Sequence, residues 1–276
     1  MQVENGKSFP RNGKNDEQLR TVGRSAEVLE LLVGEGALTL RDVQRRLGLG
    51  HSVAHRILQT WTALEYLSFN PETKVYRAGP KLMWVGAKVR TALNDPDLQA
   101  RVTLVSDELG HTANVGILEG RVVVHVARSA VRQLLPFEVH AGSALPAHAT
   151  AIGRVLLAHL PEARVRALYG EGAFAVYTEN TIADLPTLLT DLAQVRRDGY
   201  AVALRMIETG IASAAVPLRD AEGRVVAALN AVGPTASFAP AEVRDRILPV
   251  LHRIAAAPID LPPIFGGHRR REALGA

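Results

Sequence analysis

The turn Gly48-Leu49-Gly50 constrains this chain more than any other feature of it. It separates two short helical patterns, Leu40, Val43 and Leu47 before it and Val53, Ile57, Trp61 and Leu64 after it. Glycine adopts left-handed backbone at little cost, so a turn this short reverses the chain and packs the two helices against each other. Thr39 is placed to cap the first helix, which stops at Gly48; the second is predicted from about Ser52 to Glu65. A further helix is predicted upstream, with Ser25 as its N-cap, Val28, Leu29, Leu32 and Val33 on one face, and Gly34 and Gly36 ending it. Three short helices with a glycine turn between the last two form a helix-turn-helix pattern.

Two alternating runs follow, Leu67-Ser68-Phe69 and Lys74-Val75-Tyr76-Arg77, joined by Asn70-Pro71-Glu72-Thr73. Asn-Pro starts turns, so the pair is predicted to be a β-hairpin, which directly after a helix-turn-helix is a wing. On the third helix, His51, His55 and Gln59 recur every four residues, and Val53, Ile57 and Trp61 recur two positions later. Two residues turn a helix by roughly 200°, so the polar and apolar stripes face opposite ways. The outward set is His51, Ser52, His55, Arg56 and Gln59, side chains that can reach base edges or phosphates. Arg41, Arg45, Arg46 and Lys74 are placed to meet phosphates and set register. His51 and His55 have the spacing of metal ligands, but no third ligand accompanies them, and no metal is expected.

Charge supports this reading only after it is divided along the chain. The 32 basic and 28 acidic residues give +4 overall, which excludes a wholly basic, histone-like protein. Residues 1–80 hold 11 basic and 9 acidic residues, 81–263 hold 18 of each, and 264–276 hold 3 and 1. Arg41, Arg45, Arg46 and Arg56 stand against Asp42 alone between positions 41 and 60. The absence of cysteine removes disulfides, thiolate metal sites, iron–sulfur clusters and cysteine nucleophiles, and suits a reducing cytoplasm. No apolar run reaches the ~20 residues of a membrane span, and residues 1–20 are too polar for a signal peptide, so no membrane partner is expected. Aromatic residues are only 5% of the chain, which disfavours a base-stacking platform for single strands.

At 276 residues the chain is long enough for about two domains. The expected order is a disordered arm over 1–19, the winged helix-turn-helix over 20–79 and a linker helix over 80–95. A second domain then covers 96–258, with a flexible tail over 259–276. The linker carries Leu82, Val85, Val89 and Leu93 in a narrow stripe, which suits a helix that joins domains or pairs with its own copy. Asp95-Pro96-Asp97 starts another helix, with Leu98, Val102, Val105 and Leu109 on one face. Beyond it, strands are predicted at 112–118, 122–127, 200–205, 212–219 and 225–232, and helices at 150–159, 161–169, 185–198 and 240–257. Strands joined by short turns with helices grouped between them give an α+β domain on an antiparallel sheet.

The second half offers little chemistry: no Gly-x-Ser-x-Gly elbow, no His-Glu-x-x-His, no phosphate loop, and carboxylates scattered singly. A small-molecule sensor fits these features better than an enzyme, and no cofactor is implied. A catalytic ligand domain tethered to DNA, and a module that answers to no metabolite, are the competing classes.

Several runs resemble the IclR family of bacterial transcription regulators. They are Arg24–Leu32, Leu47–Thr60 and Tyr76–Leu82 in the first part, then Leu145–Ala158, Arg197–Ala201 and Gly210–Pro217. The similarity spans roughly residues 20–258. It implies a winged helix-turn-helix joined by a linker helix to a GAF-like effector-binding domain that senses a small organic or aromatic acid. It further implies self-association as a dimer or tetramer on an inverted-repeat operator, so the expected partners are double-stranded DNA, an effector and a second copy. Matching motif positions place Leu134, Phe137, Leu145, His148, Ala151, Ile152, Ala203, Ser213, Asn230 and Val232 at the effector pocket. The chain departs from the family's usual residues at Ala203-Leu204-Arg205-Met206, where acidic residues are common. It also departs at Ser213, where cysteine is frequent, and at Asn230 and Val232, where serines are. Period two puts Arg205 on the face of Ala203, so its guanidinium is expected to pair with a carboxylate effector, unless it lies on the strand's solvent face. His148 is read either as a pocket donor or as a hydrogen-bonded structural histidine.

Overall fold

The computed structural model describes residues 20–92, 95–129, 142–170 and 174–261. The expected arm over 1–19, the last linker position Leu93, the pocket candidates Leu134 and Phe137, and the tail from residue 262 lie outside them. The chain divides into two compact units, Met1–Ala92 and Leu93–Ala276.

In the first unit, α1 (Arg20–Glu35), α2 (Leu40–Leu47) and α3 (His51–Ala63) surround a small core of Val28, Leu32, Val43, Ala54, Ile57 and Leu58. Thr39 caps α2 as predicted: its hydroxyl accepts from the Asp42 N–H at 3.2 Å while Asp42 Oδ2 accepts from the Thr39 N–H at 2.9 Å. This capping box satisfies two N–H groups that the first helical turn leaves open. Gly48 closes α2 in the left-handed region, at φ 63°. Three expectations need correction. Helix α1 begins at Arg20, so Ser25 is not its cap; the Ser25 carbonyl instead accepts from Trp61 Nε1 at 3.1 Å. The chain passes through Gly34 in helix and turns only at Gly36, φ 72°, which leaves Val33 exposed. On α3 the buried face is centred on Ala54, Ile57 and Leu58, with Val53 and Trp61 at its margin and Leu64 exposed.

The wing is the hairpin of β2 (Leu67–Asn70) and β3 (Val75–Ala78). Asn70 Oδ1 accepts from the N–H groups of Glu72 and Thr73 and shapes the turn, and Lys74 completes it at φ 59°. A two-residue strand, β1 (Leu38–Thr39), pairs with β3; two residues carry no periodicity, so nothing in the sequence announced it. The wing returns to the helices at Gly79, where a Cβ would stand 2.3 Å from the Glu65 carbonyl oxygen. From there α4 (Pro80–Ala92) leaves with Leu82 and Val85 half-buried and Met83, Trp84 and Val89 exposed.

The second unit is built on a six-stranded antiparallel sheet in the order β6-β5-β4-β9-β8-β7. Its strands are β4 (Thr112–Glu119), β5 (Val122–Ser129), β6 (Ala144–Pro146), β7 (Ala201–Leu204), β8 (Ile211–Arg219) and β9 (Val225–Pro234). Alternate residues face opposite sides. Val115, Val216 and Leu229 pack towards α5 (Pro96–Leu109) and α10 (Leu248–Ala255), with Val102, Val105 and Leu251. Val123, Ala215 and Ala228 pack towards α6 (Ala151–Ala158), α7 (Glu162–Tyr169) and α8 (Leu185–Asp198), with Ile152, Val155 and Leu188. The predicted α+β architecture and antiparallel sheet are thus present.

The last predicted helix is interrupted. A short α9 (Pro240–Glu242) runs into a π-helical turn, Val243–Ile247, before α10. Pro249 has no N–H to donate backwards, and the wider turn before it accommodates that loss. Arg101 then donates to the carbonyls of Ile254, Ala257 and Pro258, capping the end of α10 from α5. The expected tail boundary at 259 is too early: Ile259 and Leu261 are buried in the α5–α10 core, and the Ile259 N–H donates to the Arg219 carbonyl at 2.8 Å.

Candidate functional site

Two features carry functional chemistry, one in each unit. In the first, His51, Ser52, Arg56 and Gln59 are exposed on α3, and His55 is half-buried with its ring stacked on His51 at 5.9 Å. Gly50 begins α3 without a side-chain cap, so the N–H groups of His51 and Ser52 remain available to an anion. Arg41 and Lys74 are exposed as well. The positive charge read from the sequence is partly compensated in the fold. Arg45 pairs with Asp42 at 3.0 Å and Arg46 with Glu35 at 2.9 Å. Both guanidinium groups are more than half exposed, so such pairs exchange readily for phosphate contacts.

In the second unit a cavity opens on the α6 side of the sheet. Of the residues matched to the pocket, Leu145, Ile152, Ala203, Ser213, Asn230 and Val232 line it. Ala151 does not: it is buried in the α6–α8 core one helical position away. Counted out to its open mouth the cavity encloses about 610 Å³, an upper bound that admits a metabolite-sized guest.

Its polar end is a chain of hydrogen bonds. Arg128 Nη1 donates to Asn114 Oδ1 at 3.1 Å, and Asn114 Nδ2 donates to Asn230 Oδ1 at 3.0 Å. The Asn114 backbone N–H also donates to Asn230 Oδ1, at 3.1 Å. Because that N–H can only donate, the Asn230 oxygen must face it, and the amide's two N–H donors turn the other way. Asn230 lines the cavity beside Arg128, so this end presents donors and positive charge. His125 lines the same region, with Nδ1 at 3.2 Å from the Ser143 carbonyl. A carbonyl can only accept, so the neutral ring donates from Nδ1. Burial pushes its pKa down to about 4, the Ser143 bond opposes the shift, and Arg128 adds to it.

Two further pocket candidates do not line the cavity. Strand β7 ends at Leu204, and Arg205 is exposed at φ 57°, so period two no longer applies where it was used and Arg205 does not line the cavity. His148 is the structural histidine of the two readings. Its Nε2 is 3.0 Å from the Ala175 carbonyl and its ring lies edge-on to Phe174 and Tyr169, away from the cavity. Burial lowers its pKa.

The cavity's guanidinium, Arg128, was missed, and the reason is a β-bulge. Gly116 pairs with His125 but Val115 pairs with Ala127, which leaves Val126 as an extra residue. Strict alternation from Val123 would put Ala127 on the cavity face; the bulge puts Ala127 in the α5 core and Arg128 in the cavity. Asn114, Met206 and Glu208 were also missed. The sequence does carry one signal for Asn114, a lone amide in the apolar run Thr112–Leu118. Among the described residues no group of three or more histidine, aspartate or glutamate side chains could hold a metal, and no helix is long and apolar enough to cross a membrane.

Comparison with known proteins bears on both features. Residues 21–71 match the "IclR helix-turn-helix domain" and residues 96–260 match "Bacterial transcriptional regulator IclR C-terminal". The chain is 34% identical to the HTH-type transcriptional regulator XynR of Escherichia coli, over 77% of this chain and 85% of that one. It is 32% identical to the Pca regulon regulatory protein of Pseudomonas putida, over 78% of this chain and 74% of that one. Among solved structures, it resembles an IclR homologue from Microbacterium hydrocarbonoxydans complexed with 4-hydroxybenzoate. That likeness has a TM-score of 0.67 and 26% identity, over 86% of this chain and 96% of that one.

Proposed function

Since the chain belongs to the IclR family of bacterial transcriptional regulators, we propose that it is a repressor whose hold on DNA is released by a small organic acid bound in the sheet cavity. The observation that carries the acid is the Arg128–Asn114–Asn230 chain, which sets a guanidinium and amide groups at the wall of a cavity that Leu145, Ile152, Ile211 and Val232 also line. A carboxylate is the guest group that a guanidinium and amide donors bind most strongly. The α3 residues His51, Ser52, Arg56 and Gln59 contact base edges, while Arg41, Arg45 and Lys74 contact phosphates. Two copies pair to match an inverted-repeat operator. Exposed Met83 (72%) and Trp84 (61%), neighbours on α4, supply an apolar patch for that pairing. Effector binding shifts the population between DNA-competent and incompetent arrangements.

The test is a mobility-shift titration on the DNA upstream of the protein's own gene, over a range of salt, with and without a panel of small aromatic and aliphatic acids. Binding should weaken steeply with salt. At least one acid should lower affinity in the wild type and fail to do so in Arg128→Gln. Failure to bind any operator-like sequence overturns the DNA reading. Retained binding that no acid alters overturns the effector reading.

A further inference from the structure

The cavity carries a second charge that the proposed function leaves unused. Glu208 lines it from the connection between β7 and β8, across the sheet from Arg128. Arg128 lies on β5 and Glu208 precedes β8, three strands further along the order β5-β4-β9-β8. Three spacings put about 14 Å between β5 and β8, and Ile152, Val232 and Ile211 line the same cavity.

Glu208 is held in place by its turn. Arg205 reverses the chain at φ 57°; its N–H donates to the Ile211 carbonyl at 2.9 Å, and the Ile211 N–H donates to the Glu208 carbonyl at 3.1 Å. Thr178 Oγ1 donates to the Arg205 carbonyl at 2.5 Å and Thr181 Oγ1 to the Met206 carbonyl at 2.6 Å, pinning the turn to the neighbouring loop. Glu208 Oε1 accepts weakly from the Thr209 N–H and hydroxyl, at 3.2 and 3.4 Å. Among the described residues Oε2 accepts from none. A half-buried carboxylate at the wall of an apolar cavity loses water when a guest arrives, and a guest that offers it no donor leaves it unsatisfied.

We infer that the guest is bipolar: a carboxylate at the Arg128 end and a hydroxyl or amino donor at the Glu208 end, with Glu208 selecting for the donor. The inference rests on the acid reading above. It rejects two neighbouring classes, the plain acid that lacks a donor and the diacid that sets a second carboxylate against Glu208.

Calorimetric titration of the full chain with two matched series tests it. The aromatic series is benzoate, 4-hydroxybenzoate, 4-aminobenzoate and terephthalate; the aliphatic series is butanoate, 4-hydroxybutanoate, 4-aminobutanoate and succinate. In whichever series binds, a donor-bearing member should bind at least roughly tenfold tighter than its plain parent, the equivalent of one hydrogen bond to a charged group, and the diacid weakest. Glu208→Ala should bring donor-bearing and plain acids to within roughly twofold of each other, with the plain acid still bound, which also shows that the variant folds. Acids that bind without donor preference, or with a preference that Glu208→Ala leaves intact, overturn the role of Glu208 but leave the acid reading standing. Binding by no acid in either series overturns the acid reading, and this inference falls with it.

Discussion

Arg154 on α6 donates through Nη1 to Asp191 Oδ1 on α8 at 2.7 Å, and its Nη2 donates to the Val202 carbonyl on β7. One guanidinium thus ties the helix that lines the cavity to its neighbouring helix and to the edge strand. Arg154 is buried while Asp191 keeps 28% of its side chain exposed. Arg154→Ala should cost roughly 3 kcal/mol, the low end for breaking a buried pair because solvent still reaches Asp191. Replacing both partners, Arg154→Met with Asp191→Leu, should recover most of that loss. Urea denaturation of the two variants decides the matter: equal losses would show that the pairing is not what stabilises this corner.

Gly153 allows no side chain. A Cβ there would stand 2.2 Å from the Ala147 carbonyl oxygen, and the Gly153 N–H is the donor to the Thr150 hydroxyl that caps α6. Gly153→Ala should destabilise the second unit by about 1–3 kcal/mol through overpacking. Gly86, in the middle of α4, has nothing within 4 Å of its would-be Cβ, so Gly86→Ala should stabilise the helix by about 0.5–1 kcal/mol. Thermal melts of the pair should move in opposite directions.

Acid should loosen the second unit through its histidines. The folded pKa of His125 is pushed down to about 4 by burial, while the unfolded chain has the ordinary value near 6.5. The unfolded state therefore binds the proton first as pH falls, so the stabilisation is complete above pH 6.5 and is lost progressively towards pH 4. Keeping the buried ring neutral over that range is worth on the order of 3 kcal/mol. Burial also lowers His111, His148 and His159, in the same direction. Between pH 6.5 and 4, the stability of His125→Asn should fall less steeply than that of the wild type in urea titrations; parallel slopes would contradict the assignment.

Thr39→Ala should remove the capping box of α2 and cost about 0.5–2 kcal/mol in the DNA-binding unit. It also removes the largest of the contacts that hold the Asp42 carboxyl below the usual carboxylate range, the Thr39 hydroxyl hydrogen bond, while the backbone N–H of residue 39 and the Arg45 and Arg46 charges remain. Because α2 supports α3, operator affinity should drop while acid binding in the other unit is unchanged. Fluorescence titration with operator DNA, beside calorimetry with the acid, separates the two.

Elements with a long period and a chemical terminus were legible from the sequence. Thr39 and Gly48 bound α2, Leu98 to Leu109 repeat at helical spacing over α5, and Asn70 turns the wing, because each is a local preference that packing reinforces. What failed was phase. Ser25 has the chemistry of a cap but lies inside a helix that starts earlier, and Arg205 was assigned a face by extending a strand one residue past its end. The cavity suffered most, because its polar groups come from five stretches far apart in sequence. Ser213, Asn230 and Ala203 were reached through motif positions, whereas Arg128 and Glu208 depend on a bulge and a turn that leave no periodic trace.

The extra residue at Val126 has an evolutionary side. Which side chains of β5 enter the cavity depends on how many residues precede them as well as on what they are. Deleting the single codon for Val126 would restore plain alternation and still leave Ala127 on the α5 side and Arg128 on the cavity side, because their pairing with Val115 and Asn114 needs no bulge once the extra residue is gone. Flattening the bulge with Val126 retained would instead turn Arg128 to the α5 side and Ala127 into the cavity, so the guanidinium is held there by register, which no count of substitutions among relatives would show.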